Sequence, residues 1–194
     1  MRTGKKLFFD NFWKYALVVV AVVFVWSAVY ENLSQIKLNQ RVTVAVYNLE
    51  CDTQALRDEV WAKLPELTKQ EVLELYVDDL DHVPNQTYAE DILLAQILQS
   101  DLVVMPESLL KAIEVSVYFQ ELPKNLQREN GYQSNGKQYG ICIPANSRFS
   151  AYYTGDERCY IFFNASSVNL GGLFEKGTTE DDAALQVFKY LLEE

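Results

Sequence analysis

The pattern of hydrophobic and polar positions divides the chain into two parts. Residues 12–30 form an almost unbroken apolar run with neither proline nor glycine and with one charged residue, Lys14. As a helix this run would be about 28 Å long, close to the thickness of the hydrocarbon core of a bilayer. Residues 41–194 instead mix short apolar runs with segments of helical period. The pattern predicts a transmembrane helix at 12–30, a polar stalk at 31–40 and a folded domain at 41–194.

The charges that flank the apolar run predict its orientation. Arg2, Lys5 and Lys6 lie before it, and the first basic residue after it is Lys37. Because basic residues are retained on the cytoplasmic side, we expect residues 1–11 in the cytoplasm and the domain on the outer side of the cell membrane. A cleaved signal peptide is the alternative. The length of the run and the lack of a good A-x-A-like site favour an uncleaved, single-pass anchor.

Strand-like and helix-like segments alternate along the outer domain. Five short apolar or alternating segments are predicted strands: 41–49, 71–80, 101–106, 137–145 and 158–166. Four segments with apolar residues three and four positions apart are predicted helices: 51–64, 87–99, 107–122 and 178–194. The order βαβαβα, then ββ, then α predicts an α/β domain with one mainly parallel sheet and helices on both faces.

Capping and turn residues bound several of these elements. The expected N-caps are Asp52 or Thr53, Thr87 in a capping box with Glu90, and Thr179. Pro65 is expected just beyond the end of the first helix, since proline cannot continue it. Asn135-Gly136 is a hairpin-turn signal before the fourth predicted strand.

The net charge of the outer domain limits the classes of partner that it can bind. Of 17 basic residues, four lie in the first 14 positions, and of 27 acidic residues only Asp10 does. The rest of the chain therefore carries 13 basic and 26 acidic side chains, a net charge near −13. Such a surface repels phosphate backbones, so a nucleic-acid partner is not expected.

Three cysteines and one histidine limit the reactive chemistry. No C-x-x-C spacing is present, which argues against a zinc ribbon or a thioredoxin-like motif. Outside the cell, Cys142 and Cys159 would be free to form a disulfide between two strands and leave Cys51 unpaired. The alternative is three buried thiols that act as small hydrophobic side chains. His82 is the only histidine available as a catalytic base.

The order of three segments resembles a known family. These are the β–α–β–α opening, the stretch SDLVVMPESLLKAI at 100–113, and SNGKQYGICIP at 134–144. Together they resemble the first lobe of the extracellular solute-binding proteins of bacterial ABC importers, the type II periplasmic-binding-protein fold, over roughly residues 41–150. The resemblance implies that Ser100–Leu109 forms the third strand and its ligand-side turn, and that Gly136–Pro144 leads toward the hinge.

This chain also departs from that family. Family members are about twice as long or more and close a second lobe over the ligand, whereas this sequence has room for one lobe. A lipoprotein lipobox is absent, and the apolar run takes its place. The resemblance therefore implies a short single-lobe relative, in which the clamp mechanism of the family does not carry over.

Polar residues are expected to gather where the parallel strands end. In an open α/β sheet, ligands bind beyond the carboxyl ends of the strands. The predicted ligand-binding residues at this rim are Asn48, Glu50, Asp78, Asp79, Glu107 and Ser108. Ser108 would begin a helix, whose free N–H groups favour an anion or a polar oxygen. The alternative is that Glu107 and Ser108 only cap their own helix.

The acidic stretch VDDLDH at 77–82 raises a metal-dependent hydrolase as one alternative. Its spacing is not that of an EF-hand, so neither a metal nor a cofactor is expected. Gly171-Gly172 lacks the flanking residues of a phosphate-binding loop. The sequence favours a non-enzymatic, membrane-anchored domain that binds a small polar solute or a protein partner. The main alternative is a structural protein of a membrane complex that has lost ligand binding.

Overall fold

The computed structural model describes residues 14, 16–27, 40–69, 71–80, 89–111, 113–167, 169 and 182–193. The chain divides into two units, Met1–Ile36 and Lys37–Glu194. In the first unit, residues 16–27 form a helix, α1, whose apolar side chains are exposed. No helix within the described ranges has both the length and the apolar character needed to cross a membrane. The predicted span at 12–30 extends beyond the described residues at both ends.

The second unit is built on one six-stranded sheet. Its strands are β1 (Arg41–Tyr47), β2 (Glu74–Leu80), β3 (Leu102–Pro106), β4 (Gly131–Ser134), β5 (Lys137–Cys142) and β6 (Cys159–Phe163). Their order across the sheet is β2-β1-β3-β6-β5-β4. β1 lies at the centre of a parallel half, paired with β2 on one side and β3 on the other. β6 runs antiparallel to both β3 and β5, and β4 is antiparallel to β5.

The prediction of a mainly parallel sheet is wrong, because three of the five strand pairings are antiparallel. The reason lies in the connections of the second half. Asn135 and Gly136 both have positive φ, 52° and 75°, and form a two-residue turn that can join only antiparallel neighbours. The link from β5 to β6 contains a 3₁₀ turn at Phe149–Ala151 instead of a crossover helix, so β6 returns in the opposite direction.

Helices cover both faces of this sheet, as predicted. They are α2 (Thr53–Leu67), α3 (Ala89–Gln99), α4 (Glu107–Leu110), α5 (Val115–Tyr118) and α6 (Ala183–Leu192). On one face α2 and α6 pack against Val44 and Val104 in a single apolar cluster. On the other face α3, α4 and α5 contribute Ile97, Leu110 and Val115 to a second cluster. Each strand of the centre is therefore buried from both sides.

The first and last predicted helices are confirmed in their buried faces. Leu56, Val60 and Leu64 of α2 are buried, and so are the five predicted residues of α6: Ala184, Val187, Phe188, Leu191 and Leu192. Asp52 caps α2, its carboxylate accepting from Ala55 N at 3.0 Å. Pro65 lies inside the last turn of α2 and not beyond it. The predicted caps Thr87 and Thr179 lie outside the described residues.

The predicted single helix at 107–122 is wrong, since only the two short turns α4 and α5 form. Long-range contacts explain the break. Phe119 leaves α5 to bridge Asn164, and its ring stacks on Phe162 with centroids 4.5 Å apart. The next residue, Gln120, donates its N–H to the Phe163 carbonyl at 2.9 Å. Pairing with the end of β6 and burial of an aromatic ring replace the helical hydrogen bonds that the local pattern favoured.

The three cysteines are free thiols. Cys142 packs with the cluster that contains α3, whereas Cys159 and Cys51 belong to the cluster that contains α2 and α6. Cys142 and Cys159 therefore lie on opposite faces of the sheet, a position from which two Cβ vectors cannot meet in a disulfide. The alternative of separate, largely buried thiols describes the structure.

Candidate ligand-binding groove

At the ends of β1 and β2, hydrogen bonds to backbone carbonyls connect the rim to neighbouring segments. Asn48 has a φ of 49°, and its N–H donates to the Leu80 carbonyl at 2.9 Å. The carbonyl of Glu50 accepts from both the N–H and the hydroxyl of Thr154, at 3.0 and 3.1 Å. These contacts tie the chain after β1 to the neighbouring segments.

The start of α4, the predicted anion position, already holds a carboxylate of the chain itself. The Ser108 N–H donates to Glu157 Oε1 at 2.6 Å, and the Ser108 hydroxyl to Glu157 Oε2 at 3.2 Å. Glu107 N donates to the Arg158 carbonyl at 2.9 Å. Pro106 occupies the N-cap position and makes no side-chain hydrogen bond. An anion is therefore present at this helix start as predicted, but it is the carboxylate of Glu157, 49 positions further along the chain, and not a ligand.

A polar groove lies between β2 and α3. It has a volume of about 510 Å³. Its walls are Arg41, Thr43, Tyr76, Val77, Asp78, Asp79, Leu80, Gln96, Gln99 and Ser100. It exists because α3 packs over the centre of the sheet, where Ile97 meets Ala45 and Val103, and leaves the edge strand β2 more open. Tyr76, on β2, remains 39 % exposed.

An arginine, a tyrosine and a glutamate organise one end of the groove. Arg41 and Glu74 are partners in the β1–β2 register, and Tyr76 follows two positions later on the same face of β2. The Arg41 guanidinium lies over the Tyr76 ring, 5.8 Å from its centroid. A hydrogen bond with the Glu74 carboxylate raises the pKa of Tyr76. This end therefore presents a positive group on an aromatic support.

A buried carboxylate stabilises the backbone behind this end. Asp101 Oδ2 accepts from Thr43 N at 2.9 Å, and Oδ1 accepts from the Ser167 hydroxyl and, at 3.0 Å, from Asn169 Nδ2. Asn169 Nδ2 also donates to the Arg41 carbonyl at 2.7 Å. Burial raises the pKa of Asp101, and the three hydrogen bonds oppose that rise. The network fixes the two β1 residues that line the groove, Arg41 and Thr43.

Two of the six predicted ligand-binding residues line this groove, Asp78 and Asp79. The other four, Asn48, Glu50, Glu107 and Ser108, lie elsewhere along the strand ends and do not line it. The sequence reasoning missed the other eight residues of the groove wall, among them Arg41, Thr43, Tyr76, Gln96, Gln99 and Ser100. One sequence feature indicates this region: the polar pair Ser100-Asp101 stands directly before the apolar strand β3.

Within the described part of the chain, no group of three His, Cys, Asp or Glu residues is arranged to hold a metal ion. Asp81 and His82, two of the residues behind the hydrolase alternative, lie outside the described residues.

A second surface of interest surrounds Trp61 of α2, which we call the Trp61 surface and define by Trp61, Pro65, Val72 and Leu73. Trp61 and Leu73 are 44 % and 46 % exposed. Trp61 lines two cavities, one of about 430 Å³ that Pro65 and Val72 also line and one of about 180 Å³ that Leu73 also lines. Exposed aromatic and aliphatic groups beside concave surface are typical of protein–protein contacts.

Comparison of the chain with known proteins gives no match among family models, curated proteins or solved structures. The resemblance to solute-binding proteins therefore depends on the sequence pattern alone.

Proposed function

We propose that this chain is a membrane-anchored, extracytoplasmic and non-enzymatic binding domain, similar to one lobe of a solute-binding protein, and that it binds a small polar solute. The observation that carries the proposal is the groove between β2 and α3. Its volume of about 510 Å³ lies in the range of small-molecule sites, and charged, hydroxyl and amide groups converge on it. The binding position differs from the rim that the sequence favoured, because the Glu157 carboxylate already accepts the hydrogen bonds of the Ser108 N–H and hydroxyl.

The anchor is part of the same proposal. The apolar run at 12–30 and the basic residues before it support a single membrane span with the N-terminus in the cytoplasm. The exposed apolar side chains of α1 suit a lipid environment. The domain at 41–194 would then face the extracytoplasmic solution, where polar solutes are met.

Thermal unfolding of the full chain in detergent micelles, measured with a panel of amino acids, sugars and short peptides, tests solute binding. A solute present at 100 times its dissociation constant stabilises the folded state by about 2.7 kcal/mol, which raises the melting temperature by about 5–10 °C. Gln99→Trp, at an exposed α3 position that lines the groove, should abolish the shift by filling the space. Leu98→Trp, the neighbouring exposed position outside the groove, should keep it.

A second candidate function is favoured by the Trp61 surface, namely that of an interaction protein in a membrane assembly. If no solute shifts the melting temperature of the wild type, solute binding is contradicted. If in addition a co-purifying membrane partner is lost in Trp61→Ala and retained in Gln99→Trp, the interaction function replaces it. The hydrolase alternative has no comparable geometric support among the described residues.

A further inference from the structure

The groove carries opposite charges toward its two ends. Arg41 stands level with Glu74 on β2, and Asp78 lies four positions further along the same strand. Four residues of strand span about 13 Å at roughly 3.3 Å per residue. Because the Arg41 guanidinium lies over Tyr76, two positions before Asp78, the charged groups are separated by between about 7 and 13 Å.

The positive end has charge to offer a ligand. Among the residues that the structure describes, Arg41 is not a member of any ion pair. Its planar guanidinium can take a carboxylate with two parallel hydrogen bonds, which an ammonium group cannot do. Two acidic residues lie near Arg41: Glu74, its neighbour in the register, and the buried Asp101, and neither forms an ion pair with it.

Neutral polar groups line the same groove, and Thr43 stands level with Tyr76, between the positions of Arg41 and Asp78 in the register. Thr43 on β1 and Gln96 and Gln99 on α3 line the groove with one hydroxyl and two side-chain amides. A side-chain amide offers both a donor and an acceptor, so it matches the N–H and C=O groups of a peptide bond. A ligand with charged ends and an amide between them fits this set of groups.

Length then selects the size of that ligand. An extended peptide spans at most about 3.3–3.6 Å per residue, so two or three residues cover about 7–11 Å. The ammonium and carboxylate of one amino acid share a single carbon and are too close together to reach both ends of the groove.

We infer that the groove binds a dipeptide or tripeptide with free termini, its C-terminal carboxylate at Arg41 and its N-terminal ammonium at Asp78. The bound peptide runs antiparallel to β2, since Arg41 of β1 lies level with Glu74, the first residue of β2, and Asp78 lies near the end of β2. This inference rests on the proposed function and specifies the class of solute.

Calorimetric titration of the full chain in detergent micelles with trialanine tests it. Trialanine is expected to bind, and N-acetyl-trialanine and trialanine amide are each expected to bind about tenfold more weakly or worse, since each loses one charge-assisted contact. Free alanine is expected to show no binding at the same concentrations.

Two substitutions assign the ends of the peptide. Arg41→Gln should lower the affinity for trialanine, and trialanine amide should then bind as well as trialanine. Asp78→Asn should also lower the affinity for trialanine, and N-acetyl-trialanine should then bind as well as trialanine. Arg128→Gln and Glu129→Gln, at exposed positions that do not line the groove, are the matched controls and should leave every affinity unchanged.

The capped peptides test the inference on the wild-type protein even if a variant fails to fold. Equal binding of free and capped trialanine overturns it. If trialanine is silent while a sugar or an amino acid binds and Gln99→Trp blocks that binding, the peptide inference is overturned and the proposed function stands. If no member of the panel binds, both are overturned.

Discussion

At the scale of single residues, two carboxylates of this domain are in opposite electrostatic situations. Asp101 is buried, and loss of solvent raises its pKa in spite of three hydrogen bonds. Glu59 is only partly buried, and hydrogen bonds from Tyr152 and Tyr190 lower its pKa. Burial disfavours a charged carboxylate, and donated hydrogen bonds favour it. The two residues therefore change the stability of the fold with pH in opposite directions.

The substitution Asp101→Asn tests the pH dependence that Asp101 gives to stability. Because the folded-state pKa of Asp101 lies above the ordinary value of 3.8, its contribution is fully present below that value and is lost as pH rises through the folded pKa. The destabilisation caused by Asp101→Asn should therefore be largest in acid and shrink as pH rises, by about 1.4 kcal/mol per unit of pKa elevation. Urea unfolding of the full chain in micelles at several pH values measures it.

Asp156→Asn, at an exposed position, is the control for that series and should show no such trend. A destabilisation by Asp101→Asn that stays constant or grows as pH rises would contradict the argument.

At the scale of elements, Glu59 connects three parts of the chain. It lies on α2 and accepts hydrogen bonds from the Tyr190 hydroxyl of α6, at 2.7 Å, and from the Tyr152 hydroxyl, which follows the 3₁₀ turn. Arg148 lies 3.6 Å from the Glu59 carboxylate and 4.6 Å from the centroid of the Tyr190 ring. The Tyr190–Glu59 hydrogen bond is thus a polar contact between α6 and α2, beside their apolar packing.

Glu59→Gln should lower the free energy of unfolding by about 1–3 kcal/mol, because two hydrogen bonds to a charged acceptor are weakened. The pKa of Glu59 is lowered from its ordinary 4.5, so this contribution is present above that value and is lost as pH falls through the folded pKa. Urea unfolding near pH 7 and in acid measures both effects.

Glu66→Gln supplies the comparison on the same helix. Glu66 forms an exposed pair with Lys63 at 3.0 Å, and such pairs contribute little. The Glu59 assignment fails if the two variants are equally stable near neutral pH, or if Tyr190→Phe adds its full cost on top of Glu59→Gln.

At the scale of the whole molecule, the proposal joins an apolar N-terminal helix to an acidic α/β domain. The domain presents a polar groove at the β2 edge of the sheet and the partly apolar Trp61 surface. If the anchor orients as its flanking charges predict, both surfaces belong to the extracytoplasmic side.

Protease treatment of intact cells, or of spheroplasts where an outer barrier exists, tests this orientation. A tag at the C-terminus should be removed by added protease, while a tag at the N-terminus should be protected until the membrane is permeabilised. The chain should sediment with membranes and resist carbonate extraction. A C-terminal tag that survives in intact spheroplasts, or a chain found in the cytosolic fraction, would refute the proposed topology.

Local patterns in the sequence determined much of this architecture. The first two β–α steps, the third strand, the buried faces of α2 and α6, the Asp52 cap and the Asn135-Gly136 turn follow from local features. These are hydrophobic period, capping and turn chemistry, which act over a few residues. Helices on both faces follow from β3, which is apolar at every position, and from β1, where only Arg41 and Thr43 are polar before Tyr47.

Contacts between distant residues decided the rest. β6 runs against β3, Phe119 leaves its helix to bridge Asn164, and Glu157 reaches Ser108 across 49 positions. The groove exists because α3 leaves part of β2 uncovered, and it joins Arg41 to Asp78 from separate strands. Such arrangements depend on which distant side chains meet after folding, and the hydrophobic period along the chain does not predict those contacts.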